Sequence, residues 1–122
     1  MLVAVNPARQ FALARNSQRV SNVNAILNAI GQNMTDNKGV FTCPAGSIPT
    51  TATTLKSGSG GYDIRPCLVP NYLPEIPVDP LNGSLAETAY DTNYTVLQDA
   101  TTKRTSVSSP SAELGETISV TR

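Results

Sequence analysis

Groups that could carry out acid–base or nucleophilic catalysis are few in this sequence. It contains no histidine, so neither a Ser-His-Asp nor a Cys-His arrangement can be assembled from it. A pair of carboxylates could still act as general acid and base, with Asp79, Asp91 and Asp99 as the candidates. These residues lie in turn-like or strand-end sequence, where carboxylates are common for structural reasons. The sequence therefore predicts a protein that is not an enzyme.

Oxygen-bearing side chains accumulate in one proline-containing loop. Asp79, Asn82, Glu87 and Asp91 all lie within it, and calcium takes six to eight oxygen ligands from such groups. We expect no cofactor, but keep calcium as an alternative, with Asp79 and Asp91 as its candidate ligands.

Cys43 and Cys67 are the only cysteines. Two thiols without histidine are too few for a structural metal site, and both lie in loop sequence rich in proline and glycine. They predict a disulfide bond, with two free thiols as the alternative. A disulfide implies an oxidising compartment such as the periplasm, the cell surface or the exterior.

Three asparagines, Asn33, Asn82 and Asn93, match the Asn-x-Ser/Thr acceptor pattern for glycosylation. In a chain rich in Asn, Ser and Thr such matches arise by chance, and the sequence does not decide whether these residues are modified.

The charge pattern argues against nucleic-acid binding by bulk electrostatics, because the net charge is zero. The charges are unevenly placed, however. Residues 1–35 contain three arginines and no acid, whereas the remainder has six basic residues against nine acidic ones. Arg15 and Arg19 are one helical turn apart and could meet acidic groups of a neighbouring copy. The alternative is that they lie on a solvated helix face.

One long amphipathic helix is predicted within residues 1–37, from Asn6 to about Asp36. Asn6 followed by Pro7 is a typical helix start, and Gly39 can adopt the left-handed conformation that ends a helix. The apolar residues recur at helical spacing and are Leu13, Val20, Val23, Leu27, Ile30 and Met34.

The rest of the chain is expected to cover this helix. Residues 38–92 contain seven prolines and are predicted to form a long connecting loop pinned by the disulfide. Residues 93–122 carry alternating β-forming segments and predict an antiparallel sheet of three to four strands. The chain is thus expected to be one α+β domain, residues 1–122, with the helix packed on the sheet from Val20 to Met34.

The first part of the helix is predicted to project beyond the sheet. A helix of about 30 residues spans roughly 45 Å, whereas strands of five or six residues span only about 20 Å. Residues 1–15 should therefore add little to the fold, and Phe11 and Leu13 should be exposed until another helix covers them.

Several segments, in this order, resemble the bacterial type IV pilins and the related pseudopilins of type II secretion. They are Val3-Ala-Val-Asn-Pro-Ala-Arg-Gln10, Ala14-Arg-Asn-Ser-Gln-Arg19, Asn22-Val-Asn-Ala-Ile-Leu-Asn-Ala-Ile30, Ile76-Pro-Val-Asp-Pro80, Tyr94-Thr-Val and Ala112-Glu-Leu-Gly-Glu-Thr-Ile-Ser-Val-Thr-Arg122. The family's Gly-Phe-Thr-Leu-Ile-Glu type of start and most of its hydrophobic anchor have no counterpart. Met1 to Val5 resemble the end of that anchor, so the chain is expected to be the soluble part of a longer protein.

The resemblance implies a subunit of a helical extracellular filament, anchored in the inner membrane before assembly and serving adhesion, motility or uptake. Its partners would be copies of itself and the assembly machinery, and the anchor would be its only membrane contact. The assembly residues would be Phe11, Leu13, Arg15 and Arg19. A secretion pseudopilin is the alternative within this family. From another class, a free secreted binding module is considered, although few aromatic residues are available to stack on sugars.

Overall fold

The computed structural model describes residues 6–122 and begins with a 30-residue helix, Pro7–Asp36 (α1). The side chain of Asn6 caps this helix by accepting a hydrogen bond from the Arg9 N–H, 3.2 Å away, and Pro7 occupies the first turn. Both features agree with the predicted start. The resemblance of Met1 to Val5 to a membrane anchor concerns residues outside the described part of the chain.

Helix α1 ends as the sequence predicts. Gly39 has a φ of 87°, a left-handed conformation that glycine adopts without steric cost. Its N–H donates to the carbonyl oxygen of Met34 over 2.7 Å, which satisfies one of the free carbonyls in the last turn.

The fold is α+β, with α1 packed on an antiparallel sheet. The sheet has five strands, Thr53–Lys56 (β1), Ser84–Leu85 (β2), Tyr90–Gln98 (β3), Thr105–Ser109 (β4) and Ile118–Thr121 (β5). Their order is β1-β3-β4-β5, and β2 also pairs with β3. The expectation of three to four strands was therefore wrong.

The additional strands come from residues 38–92, which were expected to form a connecting loop. β1 and β2 contain four and two residues, too few to show a clear alternating pattern. Both pair with the nine-residue strand β3. For β1 this partner lies far away in sequence, whereas β2 pairs with the start of β3 through a short turn at residues 86–89.

A disulfide bond joins Cys43 to Cys67, as predicted, with 5.2 Å between their Cα atoms. Cys67 belongs to a short helix, Arg65–Leu68 (α2). Next to the bridge, the buried amide of Asn33 accepts from the Thr42 N–H and donates to the carbonyl oxygens of Thr42 and Cys67. The disulfide therefore joins two parts of the connecting segment, and the hydrogen bonds of Asn33 attach that segment to α1.

The apolar core lies between the C-terminal half of α1 and the inner face of the sheet. From the helix, Val23, Ile26, Leu27 and Ile30 are almost completely buried. The residues that face them from the rest of the chain include Leu55, Ile64, Leu68, Ile76, Tyr94, Val96, Val107 and Ile118. Val20 was predicted to join this core, but 44% of its surface is exposed. The buried face of the helix continues through Arg19 instead.

Candidate functional site

Arg19 is completely buried and forms a two-point ion pair with Asp79. Its Nε donates to Oδ1 over 2.6 Å and its Nη2 donates to Oδ2 over 3.2 Å. Asp79 is also buried, and its Oδ2 accepts from the backbone N–H groups of Leu81 and Asn82. The pair therefore fixes the turn that follows residues 76–78 to the middle of α1.

Glu113 lies in the connection between β4 and β5 and links it to Arg15 and Arg19, the two arginines predicted to be assembly residues. Its carboxylate accepts from Arg15 over 2.6 and 2.7 Å, and from Nη1 of Arg19 over 2.6 Å. The side-chain amide of Asn16 pairs with the backbone of Glu113. It donates to the Glu113 carbonyl oxygen and accepts from the Glu113 N–H. These contacts hold residues 110–117 against the N-terminal half of the helix.

Asn22 completes this polar cluster on α1. Its Nδ2 donates to the carbonyl oxygen of Val78 over 3.1 Å and to the hydroxyl of Tyr94 over 2.8 Å. We call Arg15, Asn16, Arg19, Asn22, Asp79 and Glu113 the arginine cluster. It takes the place of an apolar core beneath the N-terminal half of the helix.

The charges of the arginine cluster stabilise one another. Hydrogen bonds from Arg15 and Arg19 lower the pKa of Glu113 from 4.5 to about 2. For Asp79, burial alone would raise the pKa, but hydrogen bonds from Arg19 and from the Asn82 and Leu81 N–H groups outweigh it and keep the pKa below its ordinary value. Both carboxylates are therefore ionised at neutral pH.

These contacts correct the expected roles of Arg15 and Arg19. Arg19 was predicted to be an assembly residue that meets acidic groups of a neighbouring copy, but its side chain has no exposed surface and its partners belong to the same chain. Arg15 retains 29% exposure, yet its guanidinium is paired with Glu113. The apolar residues Val23, Ile26 and Ile30 follow helical spacing, and the same spacing continued towards the N-terminus passes through Arg19, Asn16 and Ala12.

The calcium alternative loses its principal candidate ligand. Asp79 uses both carboxylate oxygens on Arg19 and on two backbone N–H groups, and a nearby guanidinium repels a divalent cation. Asp91 lies on β3, where its carboxylate accepts a hydrogen bond from the N–H of Asn93. Among residues 6–122, no group of three or more His, Cys, Asp or Glu side chains could hold a metal ion.

The remaining candidates from the sequence are the carboxylate of Asp99 and the three asparagines that match the glycosylation pattern. Asp99 accepts from the N–H groups of Thr101 and Thr102 in a turn. Asn33, one of the three glycosylation matches, is 4% exposed and lies within α1, so its amide is not accessible for modification. Asn82 is exposed. Asn93 is partly exposed, and its side-chain amide donates a hydrogen bond to the Ser111 hydroxyl.

The predicted assembly residues Phe11 and Leu13 are 63% and 40% exposed. They do not form one patch. Successive helix residues are rotated by about 100°, so these side chains point to opposite flanks of the helix. Leu13 shares its flank with Val20, next to Ile118 and Val120.

The projecting part of the helix is shorter than predicted. Residues 6–11 are all exposed, but Ala12 is buried and Arg15 and Asn16 contact Glu113. The expectation that residues 1–15 add little to the fold therefore applies, within the described chain, only to residues 6–11. The connection between β4 and β5 covers the next turns.

Comparisons with protein-family models, curated proteins and solved structures gave no match to this chain. Among the described residues, no helix has the length and apolar character needed to cross a membrane.

Proposed function

We propose that this chain is the structural subunit of an extracellular, type IV pilus-like filament, assembled through the N-terminal part of α1. The observation that carries the proposal is the exposed start of the helix. Asn6 to Phe11 extend past the elements that cover Ala12 and Asn16. Phe11 at the end of that segment and Leu13 two residues further on present apolar surface on opposite flanks of α1, and neighbouring helices that cover them would bury this surface.

The arginine cluster supports this role because it fixes the helix to the rest of the chain. A subunit in a filament must pass load between its helix and its outer domain. The Arg19–Asp79 pair and the Arg15–Glu113 pair connect α1 to two separate segments, and two-point charged hydrogen bonds define orientation as well as distance. The exposed segment is therefore held in a fixed direction relative to the sheet.

The outer face of the sheet suits a surface exposed on a filament. Thr54, Thr95, Ser108 and Ser119 are aligned across four strands, and all are partly or fully exposed. Such a face is polar without being strongly charged. The partners proposed for this protein are accordingly other copies of itself and the machinery that assembles them, and the proposed location is the cell surface.

The test is to replace Phe11 or Leu13 with Asp in the gene of the producing cell and to look for surface filaments by electron microscopy. We expect each variant to lose filaments, because a charge at an apolar helix contact must be desolvated without a partner. Gln32→Asp is the matched control, since Gln32 is an exposed position at the other end of α1. Normal filaments from both Phe11→Asp and Leu13→Asp would contradict the proposal.

The same variants distinguish the alternatives considered from the sequence. A secretion pseudopilin would lose export of secreted proteins instead of surface filaments. A free secreted binding module would be found in the medium as an unassembled protein, and neither substitution would alter its amount. Thermal unfolding of the purified variants must first show that the fold is retained.

A further inference from the structure

β5 is an open edge of the sheet. Within residues 6–122, its only strand neighbour is β4. The opposite edge is protected, because Tyr62 bridges to Leu55 and its N–H donates to the Thr54 carbonyl oxygen, and because Lys56 ends β1. Open edges without lysine, proline or a covering segment are sites where another strand can add.

The backbone of β5 has hydrogen-bonding groups directed away from the sheet. Arg122 and Thr105 exchange both backbone hydrogen bonds, over 2.7 and 2.9 Å. Because bonded and non-bonded pairs alternate in an antiparallel ladder, the N–H and C=O groups of Ser119 and Thr121 face outward. The hydroxyl contacts Ser108–Ser119 and Ser106–Thr121 fit the closer side-chain approach of non-bonded pairs.

An apolar groove of about 320 Å³ runs between this edge and α1. Leu13 and Val20 line it from the helix, and Ile118 and Val120 line it from β5. An added strand would therefore find backbone partners at the edge and an apolar surface on the side that faces the helix.

The sequence of β5 is complementary to itself in one antiparallel register. When two copies pair about Ser119, Thr117 faces Thr121, Ile118 faces Val120, and Glu116 faces Arg122. The outward backbone groups of Ser119 and Thr121 then meet those of Ser119 and Thr117 in the second copy. The apolar Ile118 and Val120 of both copies lie on the side of the sheet that faces the groove. At each end of the pairing, Glu116 of one copy faces Arg122 of the other, and such opposite charges favour cross-strand pairing.

The position of α1 allows this arrangement. The helix packs across β4 and β5, and neighbouring strands are ~4.8 Å apart. Continuing the sheet through a second β5 places the two copies of α1 about 10 Å apart, which is an ordinary distance for packed helices. Leu13, Ser17 and Val20 are the residues that would lie along this contact.

We propose that β5 pairs with β5 of a second copy of this chain, antiparallel and centred on Ser119, so that the two sheets become one. The interface is symmetric and therefore closed. It joins copies of opposite polarity and does not involve Phe11, but it shares Leu13 with the filament proposal, so Phe11→Asp is the variant that separates the two. In a filament of parallel subunits, such a contact would connect neighbouring filaments.

The first test is disulfide trapping with Ser119→Cys. The two Cα atoms of a bonded antiparallel pair on the axis are about 5.5 Å apart, within the range that a disulfide spans. We expect a covalent dimer under mild oxidation, sensitive to reductant. Thr121→Cys is the matched control, because its two copies lie four residues out of register, about 13 Å apart, and should not cross-link.

The second test is a charge exchange followed by sedimentation of the purified chain from micromolar to millimolar concentration. We expect a dimer of the 12.9 kDa chain, whose dissociation constant rises about tenfold in Glu116→Arg or Arg122→Glu. The double variant should recover the original affinity. Recovery separates an intermolecular pairing from the loss of the contacts that Arg122 makes to Asn24 and Asn28.

The proposal is overturned by a chain that stays monomeric over this range, or by equal cross-linking of the two cysteine variants. It is also overturned by a dimer that the single charge reversals do not weaken. Phe11→Asp should leave the dimer intact, so a dimer lost in that variant would assign the contact to the start of α1 instead.

Discussion

The guanidinium of Arg19 and the carboxylate of Asp79 form a two-point ion pair without exposed surface, although 60 residues separate them in the sequence. Removing two ions from water is costly and is offset only when every polar atom finds a partner. Asn16 and Glu113 bind the remaining side of the guanidinium, and the turn after Asp79 binds its carboxylate. The N-terminal half of α1 is therefore attached by a complete polar cluster.

Breaking the buried pair should be strongly destabilising. Asp79→Ala leaves the Arg19 guanidinium buried without its main partner, and we expect a loss of about 3–5 kcal/mol in the free energy of unfolding. Urea unfolding followed by circular dichroism measures it. Glu75→Ala is the comparison, because the Arg65–Glu75 pair is partly exposed, with 21% and 43% of the side-chain surfaces in solvent, and should matter much less. Equal losses in the two variants would contradict the importance of burial.

Stability should fall in acid, and Glu113 should account for part of the loss. Its pKa is about 2 in the folded chain against an ordinary value of 4.5. A carboxyl whose pKa is lowered by folding stabilises the fold above its unfolded pKa, and the effect disappears as the pH falls from ~4.5 towards ~2. Glu113→Gln should therefore show a shallower decrease across this window in urea unfolding at fixed pH values. An unchanged slope would exclude Glu113 as a contributor.

How far the rest of the chain covers one flank of α1 can be tested with two apolar positions on that flank, seven residues apart. Leu27 is 4% exposed and Val20 is 44% exposed. Leu27→Ala should lower the free energy of unfolding by about 2–5 kcal/mol, because it opens a cavity in the core. Val20→Ala should cost less than about 1 kcal/mol, since the removed methyl groups are partly in water. Similar costs at the two positions would mean that the cover of this flank extends as far as Val20.

The disulfide should contribute to stability by restricting the unfolded chain. Cys43 and Cys67 are 24 residues apart, and a loop of this size corresponds to about 3–4 kcal/mol in the chain-entropy account. Mass spectrometry before and after reduction establishes the bond, and urea unfolding with and without reductant measures its effect. The Cys43→Ser/Cys67→Ser variant should unfold like the reduced protein and should not respond to reductant. Free thiols in protein from an oxidising compartment would refute the bond.

The sequence alone determined the features that depend on neighbouring residues. Asn6 and Pro7 at the start of α1 and Gly39 at its end are local signals, since capping and left-handed turns involve residues a few positions apart. Alternation likewise identified the main strands in residues 93–122. The disulfide followed from having two cysteines and no histidine.

Tertiary structure decided which side of the helix is buried at its N-terminal half. The apolar residues Leu13 and Val20 suggested one face, but the buried face carries Asn16, Arg19 and Asn22. A polar side chain can be buried only if distant groups complete its hydrogen bonds, and here those groups come from residues 78–94 and 113. Hydrophobic spacing contains no information about such partners. The same holds for β1, whose four residues become a strand only because the distant β3 pairs with them.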